Sequence, residues 1–294
     1  MKVALYGLYD VKKSKQVIEE LFGYFKHYNF LVAVEKEFLE AIKQHTNVKG
    51  SYAQFTGFND LDTSFDLMIT IGGDGTILKA VTFIRNLNIP ILGINIGRLG
   101  FLATVQKTEI KEAVEALIQN EFSIKERELL KVDTNTDSDD FKDLNFALNE
   151  VAINRKDSTS MIIINTFIDD EYLNSYWADG LIVATPTGST GYSLSCGGPV
   201  ITPSAKSLVI TPIAPHNLNV RPLVIPNDSK IKLQVSGRSE QFLVSLDSRI
   251  ITVEKHTEIY IQTADFKLKM IQFNNQTFLK TLREKMLWGR DARN

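Results

Sequence analysis

The run Phe65-Asp66-Leu67-Met68-Ile69-Thr70-Ile71-Gly72-Gly73-Asp74-Gly75-Thr76-Ile77-Leu78-Lys79-Ala80-Val81 changes character twice in seventeen residues. Phe65–Ile71 is apolar and rich in β-formers, and it breaks at Gly72-Gly73. Helical spacing follows over Ile77–Leu87, through Leu78, Val81, Ile84 and Leu87. Ile91–Ile94 then reads as the next strand. Strand, glycine turn, helix and strand in this order make a βαβ unit, which builds a parallel sheet.

The same alternation extends in both directions. Lys2–Tyr6 reads as a strand closed by Gly7, and Ser14–Tyr28 as a helix with Val17, Ile18, Leu21, Phe22 and Phe25 on one face. Leu31–Val34 reads as a strand, and Glu35–His45 and Glu109–Asn120 as helices. Near residue 125 the pattern becomes period two. Glu150–Asn154, Met161–Ile168, Leu181–Ala184, Leu208–Pro212, Lys230–Val235, Phe242–Leu246 and Glu258–Thr263 all alternate in the manner of strands. Asp133–Asp143 is acidic and polar, as a solvated hairpin loop would be. Phe278–Trp288 reads as a closing helix. The expected fold is an α/β N-terminal domain with an open parallel sheet, 1–125, and an all-β domain, 126–273. The segment 274–294 is grouped with the first.

Composition excludes several classes. The chain has 294 residues, 44% of them hydrophobic, so disordered and collagen-like chains are ruled out. Thirty-three Lys and Arg stand against 35 Asp and Glu, a net charge of −2, which argues against a nucleic-acid partner held by phosphate neutralisation. Cys196 is the one cysteine, so neither an intrachain disulfide nor a thiolate zinc cluster forms. The histidines, His27, His45, His216 and His256, are scattered. No apolar run reaches the ~18–20 residues of a membrane helix, and the N-terminal apolar stretch is too short for a signal peptide. A cytoplasmic protein with no membrane partner is expected.

Three segments carry chemistry. The Gly72–Thr76 turn lies at the carboxyl end of a strand, where open α/β sheets bind ligands. Its glycines let a ligand approach the main chain, and the following helix offers free N–H groups to a phosphate. The Gly-Lys-Ser/Thr ending of a P-loop is missing. A tight turn with Asp74 as N-cap is the plain reading; a carboxylate that orients a hydroxyl and takes its proton in phosphoryl transfer is the chemical one. The second segment, Gly93–Leu102, spaces its glycines G-x-x-x-G-x-x-G, so the dinucleotide-oxidoreductase fingerprint fails. It reads either as a glycine-permitted loop with Phe101 and Leu102 in the core or as a second loop facing the same crevice as Asp74. The third, Asp179–Pro199, runs from a strand into a loop of Thr, Ser and Gly that presents hydroxyls and N–H groups, with Tyr192 able to stack on a purine. Asn149-Glu150 precedes another strand. An Asn amide suits the adenine N6/N7 edge, and a carboxylate suits ribose hydroxyls.

Taken together, these segments resemble the NAD kinase (ATP-NAD kinase) family. Gly72–Thr76 is similar to its GGDGT motif, Asn149-Glu150 to its NE motif and Asp179–Pro199 to its longest signature. Thr211–His216 with Arg221–Val224 resembles its proline-containing stretch, and Leu282–Gly289 its closing segment. The resemblance implies NAD bound between an α/β and an all-β domain, with the closing helix returned to the first. It implies transfer from ATP, with a divalent metal, Mg²⁺, to the 2′-hydroxyl of the NAD⁺ adenosine ribose, giving NADP⁺, in a homodimer or homotetramer. Asp74 would take the proton and Gly75 would sit at the phosphates. Lys79, one helical turn on, reads either as a phosphate contact or as a solvated helix residue. Asn149 would hold adenine, Glu150 the ribose and Asp179 the nicotinamide half. Thr190, Gly191, Tyr192, Ser193, Leu194 and Ser195 would line the adenosine pocket, with Asp247 beside them. No metal ligand is assigned to protein side chains. Asp247-Ser248-Arg249 stands where many members have Asp-Gly-Gln, Trp177 where some have arginine, and Gly191 where alanine is common. Two other readings are a lipid kinase sharing the GGD turn and a non-catalytic NAD(P)-binding sensor.

Overall fold

The computed structural model describes residues 1–7, 11–136, 143–156, 160–217, 219–274 and 276–287. They form two compact units, Met1–Glu126 with the segment from Leu268 onward, and Arg127–Lys267. The order is β1 (Lys2–Gly7), α1 (Val11–His27), β2 (Leu31–Glu35), α2 (Lys36–His45), β3 (Ala53–Phe55), β4 (Leu67–Gly72), α3 (Asp74–Ile84), β5 (Ile91–Asn95), β6 (Val105–Gln106) and α4 (Ile110–Ile118). Next come β7 (Phe122–Thr134), β8 (Phe146–Ala147), β9 (Glu150–Arg155), β10 (Ile162–Ile168), β11 (Glu171–Ala178), β12 (Gly180–Ala184) and α5 (Tyr192–Ser195). The chain continues through β13 (Ser207–Ile213), β14 (Leu223–Pro226), β15 (Ile231–Ser236), β16 (Gln241–Leu246), β17 (Arg249–Glu254), β18 (Glu258–Phe273) and α6 (Phe278–Met286).

In the first unit the last part of β18, then β5, β4, β1, β2 and β3 lie side by side, all parallel. Alternate residues divide the sheet into two faces. Val3, Leu5, Ile69, Ile71 and Ile94 share one core with Leu21 of α1, Phe38 of α2 and Val114 of α4. Ala4, Tyr6 and Met68 are equally buried on the other face, where the Tyr6 ring meets Phe83 of α3 edge to face at 5.1 Å. Burial on both faces is why these strands read as unbroken apolar runs. Each Leu or Ile so buried contributes on the order of 1.5–3 kcal/mol.

The strand order also places the glycine turn. The chain builds β2 and β3 on one side of β1, then crosses to lay β4 and β5 on the other. Adjacent carboxyl ends of β1 and β4 make the switch point at which such sheets bind ligands. Gly72 is the last residue of β4, and Asp74 opens α3.

The second unit is a sandwich of two antiparallel sheets. One runs β11, β10, β15 and the first part of β18; the other runs β14, β13, β12, β9, β16 and β17. Ile164, Leu233 and Ile259 of the first share a core with Val151, Leu181, Ile210 and Val244 of the second. A smaller cluster, Ala152, Ile182, Ala184 and Val209, takes Cys196 and Ile201 against it. The central β12 is consequently buried along its whole length.

The expected α/β and all-β architectures are present. Strands absent from the sequence reading are mostly edges or carry charge. β17 leaves Ile250 68% exposed at an edge, and β7 bears Lys125, Glu126, Arg127 and Glu128. β7 and β8 pair antiparallel at Leu130↔Ala147, which makes the polar segment between them a hairpin connection; its residues 137–142 lie outside the described ones. The closing helix ends at Met286, with Leu287 left-handed at φ 55°. Trp288 and Gly289 lie outside the described residues.

Candidate active site

Asp74 does not cap α3. That place belongs to Gly73, and Asp74 is the first helical residue, so its side chain is directed elsewhere. Its carboxylate gathers the loop that follows β5: Phe101 N–H donates to Oδ2 at 2.8 Å, and the Leu102 and Ala103 N–H groups both donate to Oδ1 at 3.0 Å. Lys285 Nζ stands 3.9 Å from Oδ2. Gly100 is what allows the approach, since a Cβ there would lie 1.9 Å from Asp74 Oδ1. The second glycine segment therefore meets Asp74 through the N–H groups of Phe101 and Leu102, and Ala103 just beyond it adds a third.

Asn95, at the end of β5, holds the same loop from inside. It is 3% exposed. Its amide donates to the Arg98 and Ala103 carbonyls at 2.8 and 3.2 Å and accepts the Gly97 N–H at 2.7 Å. α6 braces it from outside: Phe278 packs on Phe101 with centroids 6.1 Å apart, and Lys285 lies 4.8 Å over the Phe101 ring. Thr104 and Gln276 exchange two further hydrogen bonds. Neither Asn95 nor Lys285 received a role from the sequence. A buried Asn at a strand end was a visible signal; nothing local marks Lys285, whose partner is distant in the chain. Gly75 and Lys79 are both exposed on α3.

In the second unit Asp247 gathers Asn149 and Glu150. Asp247 is left-handed, with φ 53°. Its carboxylate accepts the N–H groups of Leu148, Asn149 and Glu150 at 2.9, 2.7 and 3.2 Å. Burial nevertheless raises its pKa above the ordinary carboxylate value, against those donors and the Arg249 guanidinium. Arg249 itself donates to the Leu144 carbonyl at 2.5 Å and to that of Phe146. The departure from Asp-Gly-Gln therefore puts a brace on the approach to β9.

Asn149 and Glu150 are thus presented by a doubly braced segment. Gly188 sits against it so closely that a Cβ would lie 1.9 Å from the Asn149 carbonyl oxygen. Asn149 Oδ1 and Glu150 Oε2 are buried and accept no hydrogen bond from any of the described residues. The Glu150 carboxyl is pushed up to about 7 by burial first and the Asp247 carboxylate second, while the Tyr192 N–H opposes the shift. Tyr192, which hydrogen-bonds Cys196, is 42% exposed.

The rest of the signature divides. Thr190 Oγ1 donates to the Thr187 carbonyl at 3.1 Å. Leu194 is half-buried and Ser195 exposed. Ser193 is 0% exposed, its hydroxyl shared with Thr211 at 2.8 Å; it ties α5 to β13 and faces no solvent. Asp179 pairs with Arg155 at 3.2 Å, and Trp177 is exposed on the edge strand β11. Among the described residues no three His, Cys, Asp or Glu side chains come together as metal ligands. Nor, among the described residues, is any helix long and apolar enough to cross a membrane.

A carboxylate turn at the switch point of a parallel sheet, followed by a β unit with buried acceptors lacking donors, defines a nucleotide-handling protein. Residues 9–122 match the model of the ATP-NAD kinase N-terminal domain, and residues 148–273 that of the ATP-NAD kinase C-terminal domain. The NAD kinase of Flavobacterium johnsoniae is 53% identical over 294 residues, with all of both chains covered. That of Bacteroides fragilis is 44% identical, again over the full length of both. Among solved structures, an Archaeoglobus fulgidus NAD kinase in complex with ATP aligns with TM-score 0.74 at 26% identity, covering 98% of this chain and 99% of that one. Yeast NADH kinase aligns with TM-score 0.89 at 23% identity over 100% and 89% of the two chains, a likeness of fold. The chain belongs to the NAD kinase family.

Proposed function

We propose that this chain transfers the γ-phosphoryl group of ATP to the 2′-hydroxyl of the adenosine ribose of NAD⁺. NAD phosphorylation is the activity of its family. The observation that carries the finer reading is the pair of buried acceptors without donors, Asn149 Oδ1 and Glu150 Oε2. Adenosine brings matching donors, the N6 amino group and the ribose hydroxyls. A buried acceptor left unpaired costs ~1–3 kcal/mol, which a ligand supplying the donor recovers. Tyr192 offers an exposed ring for stacking.

In the transfer the ribose oxygen bonds to the γ-phosphorus and the bond from that phosphorus to the β-phosphate oxygen breaks. The hydroxyl proton passes to Asp74 Oδ2, and ADP leaves. The N-terminus of α3 supplies N–H groups for phosphate. The Asp74 lone pairs are largely taken by the Phe101–Ala103 N–H groups, so its carboxylate is a poor metal ligand. The divalent cation is read as part of the triphosphate substrate, as Mg²⁺ is commonly held. ATP as donor is supported by the Archaeoglobus relative. A cytoplasmic homodimer or homotetramer completes the reading, on family resemblance.

The test is incubation with NAD⁺ and MgATP, the product read by an NADP-specific dehydrogenase. NADP⁺ in equal amount to ADP supports the proposal. Hydrolysis of ATP without NADP⁺, or a phosphate elsewhere on NAD, contradicts it. The two domain matches span both parts of the chain, which a lipid kinase sharing the GGD turn does not account for.

A further inference from the structure

We propose that Lys285, from the closing helix α6, supplies the cation that meets the phosphoryl group as it transfers beside Asp74. The inference rests on the reading of Asp74 as proton acceptor. An ionised carboxylate has about four acceptor sites. Two N–H groups fill Oδ1, and one donates to Oδ2. The position left for a substrate hydroxyl is therefore on Oδ2.

Oδ2 is also the oxygen nearest Lys285, whose Nζ is 3.9 Å away. At that distance the ammonium is ion-paired but not hydrogen-bonded to the carboxylate. A hydroxyl bound to Oδ2 at roughly 2.6 Å brings its oxygen, and the phosphorus it attacks, into the neighbourhood of Nζ. The flexible four-carbon stem closes the remainder. The reacting phosphoryl spreads negative charge over its oxygens, and a preorganised cation there stabilises the transition state over the ground state.

The helix is held for this task at both ends. Phe278 in its first turn packs on Phe101, and Lys285 in its last turn lies over the same ring. Phe101 is in turn the residue whose N–H binds Oδ2. Helix, loop and carboxylate thus form one closed set of contacts, all within the first unit.

The full chain is compared with Lys285→Met and Lys285→Arg in steady-state kinetics with NAD⁺ and MgATP, in NAD⁺ calorimetry and in thermal unfolding. Lys285→Met is expected to lower kcat by roughly 10²-fold, the scale of a removed oxyanion donor. Its NAD⁺ Kd should stay within about threefold and its Tm near that of the parent. Lys285→Arg keeps the charge and should recover a tenth or more of kcat. Wild-type kcat in Lys285→Met overturns the proposal. So does a loss that Arg fails to recover and that tracks a fall in Tm, since α6 would then be only a brace. Asp74→Asn run alongside separates the two readings. An active Asp74→Asn removes the proton-acceptor role and, with it, the placement of the phosphoryl group beside Lys285. An inactive Asp74→Asn beside an active Lys285→Met removes Lys285 alone.

Discussion

Glu150 sits between two opposing demands. Its buried Oε2 needs a donor, and burial together with the Asp247 carboxylate resists its ionisation. The ordinary value is 4.5, and the folded value about 7. Between those limits the folded chain binds more protons than the unfolded one, so stability falls as pH rises from 4.5 to 7. Glu150→Gln should flatten the Tm–pH curve in that window and raise Tm at pH 8; an unchanged slope contradicts the assignment. Ribose donors favour the ionised carboxylate, so NAD⁺ affinity should rise as pH passes upward through about 7. Titration calorimetry at pH 6 and pH 8, with Glu150→Gln as control, reads this directly. The residue types were legible in the sequence, because Asn and Glu in tandem before a strand suit adenosine. Their environment was not, because it depends on Asp247, nearly a hundred positions away, whose carboxylate takes three main-chain N–H groups.

Loops do more of the site's work than the regular elements that bear them. The segment from Ile96 to Ala103 has no strand or helix of its own, yet Asn95 ties it from one side and Asp74 from the other. Gly100→Ala should force the Asp74 carboxylate off its donors, because its Cβ would meet Oδ1 at 1.9 Å. Overpacking of this kind costs ~1–3 kcal/mol, and NADP⁺ formation should drop by an order of magnitude or more as Asp74 is displaced. Normal turnover with an unchanged Tm would show that the contact is dispensable. The regular elements were the easier part to read. β4 and β5 were visible as unbroken apolar runs, because they are buried on both faces, and α3 by its helical spacing. β11, β14 and β17 were missed because they bury too few residues to print a period: two in β11 and one each in β14 and β17. β7 was obscured by its charges, Lys125 to Glu128. The glycine spacing of Gly93–Leu102 marked a loop, but not that the N–H groups of Phe101–Ala103 would close on Asp74.

At the scale of the molecule, the chain leaves its first unit near residue 126 and rejoins it from Leu268. The return supplies a sheet strand, with Met270 opposite Ile91, and Ile271 and Phe273 for the core. It also supplies α6. The fragment 127–267 is contiguous and carries its own sandwich core, so it should unfold cooperatively in isolation. The fragment 1–126 lacks its strand and closing helix and should be far less stable, as circular dichroism during thermal unfolding would show. A 1–126 fragment as stable as the parent would mean that the return adds little. The sequence marked the change of pattern near residue 125. The return falls earlier than the pattern placed it, because β18 runs on as one strand from the second unit into the first. Proton transfer from the ribose hydroxyl to Asp74 is tested most directly by the turnover of Asp74→Asn beside its NAD⁺ Kd. The expected result is a fall in kcat on the order of 10²-fold or more, the scale of a removed general base, with Kd changed by a few fold. Turnover near the parent's, with NAD⁺ still bound, would contradict it.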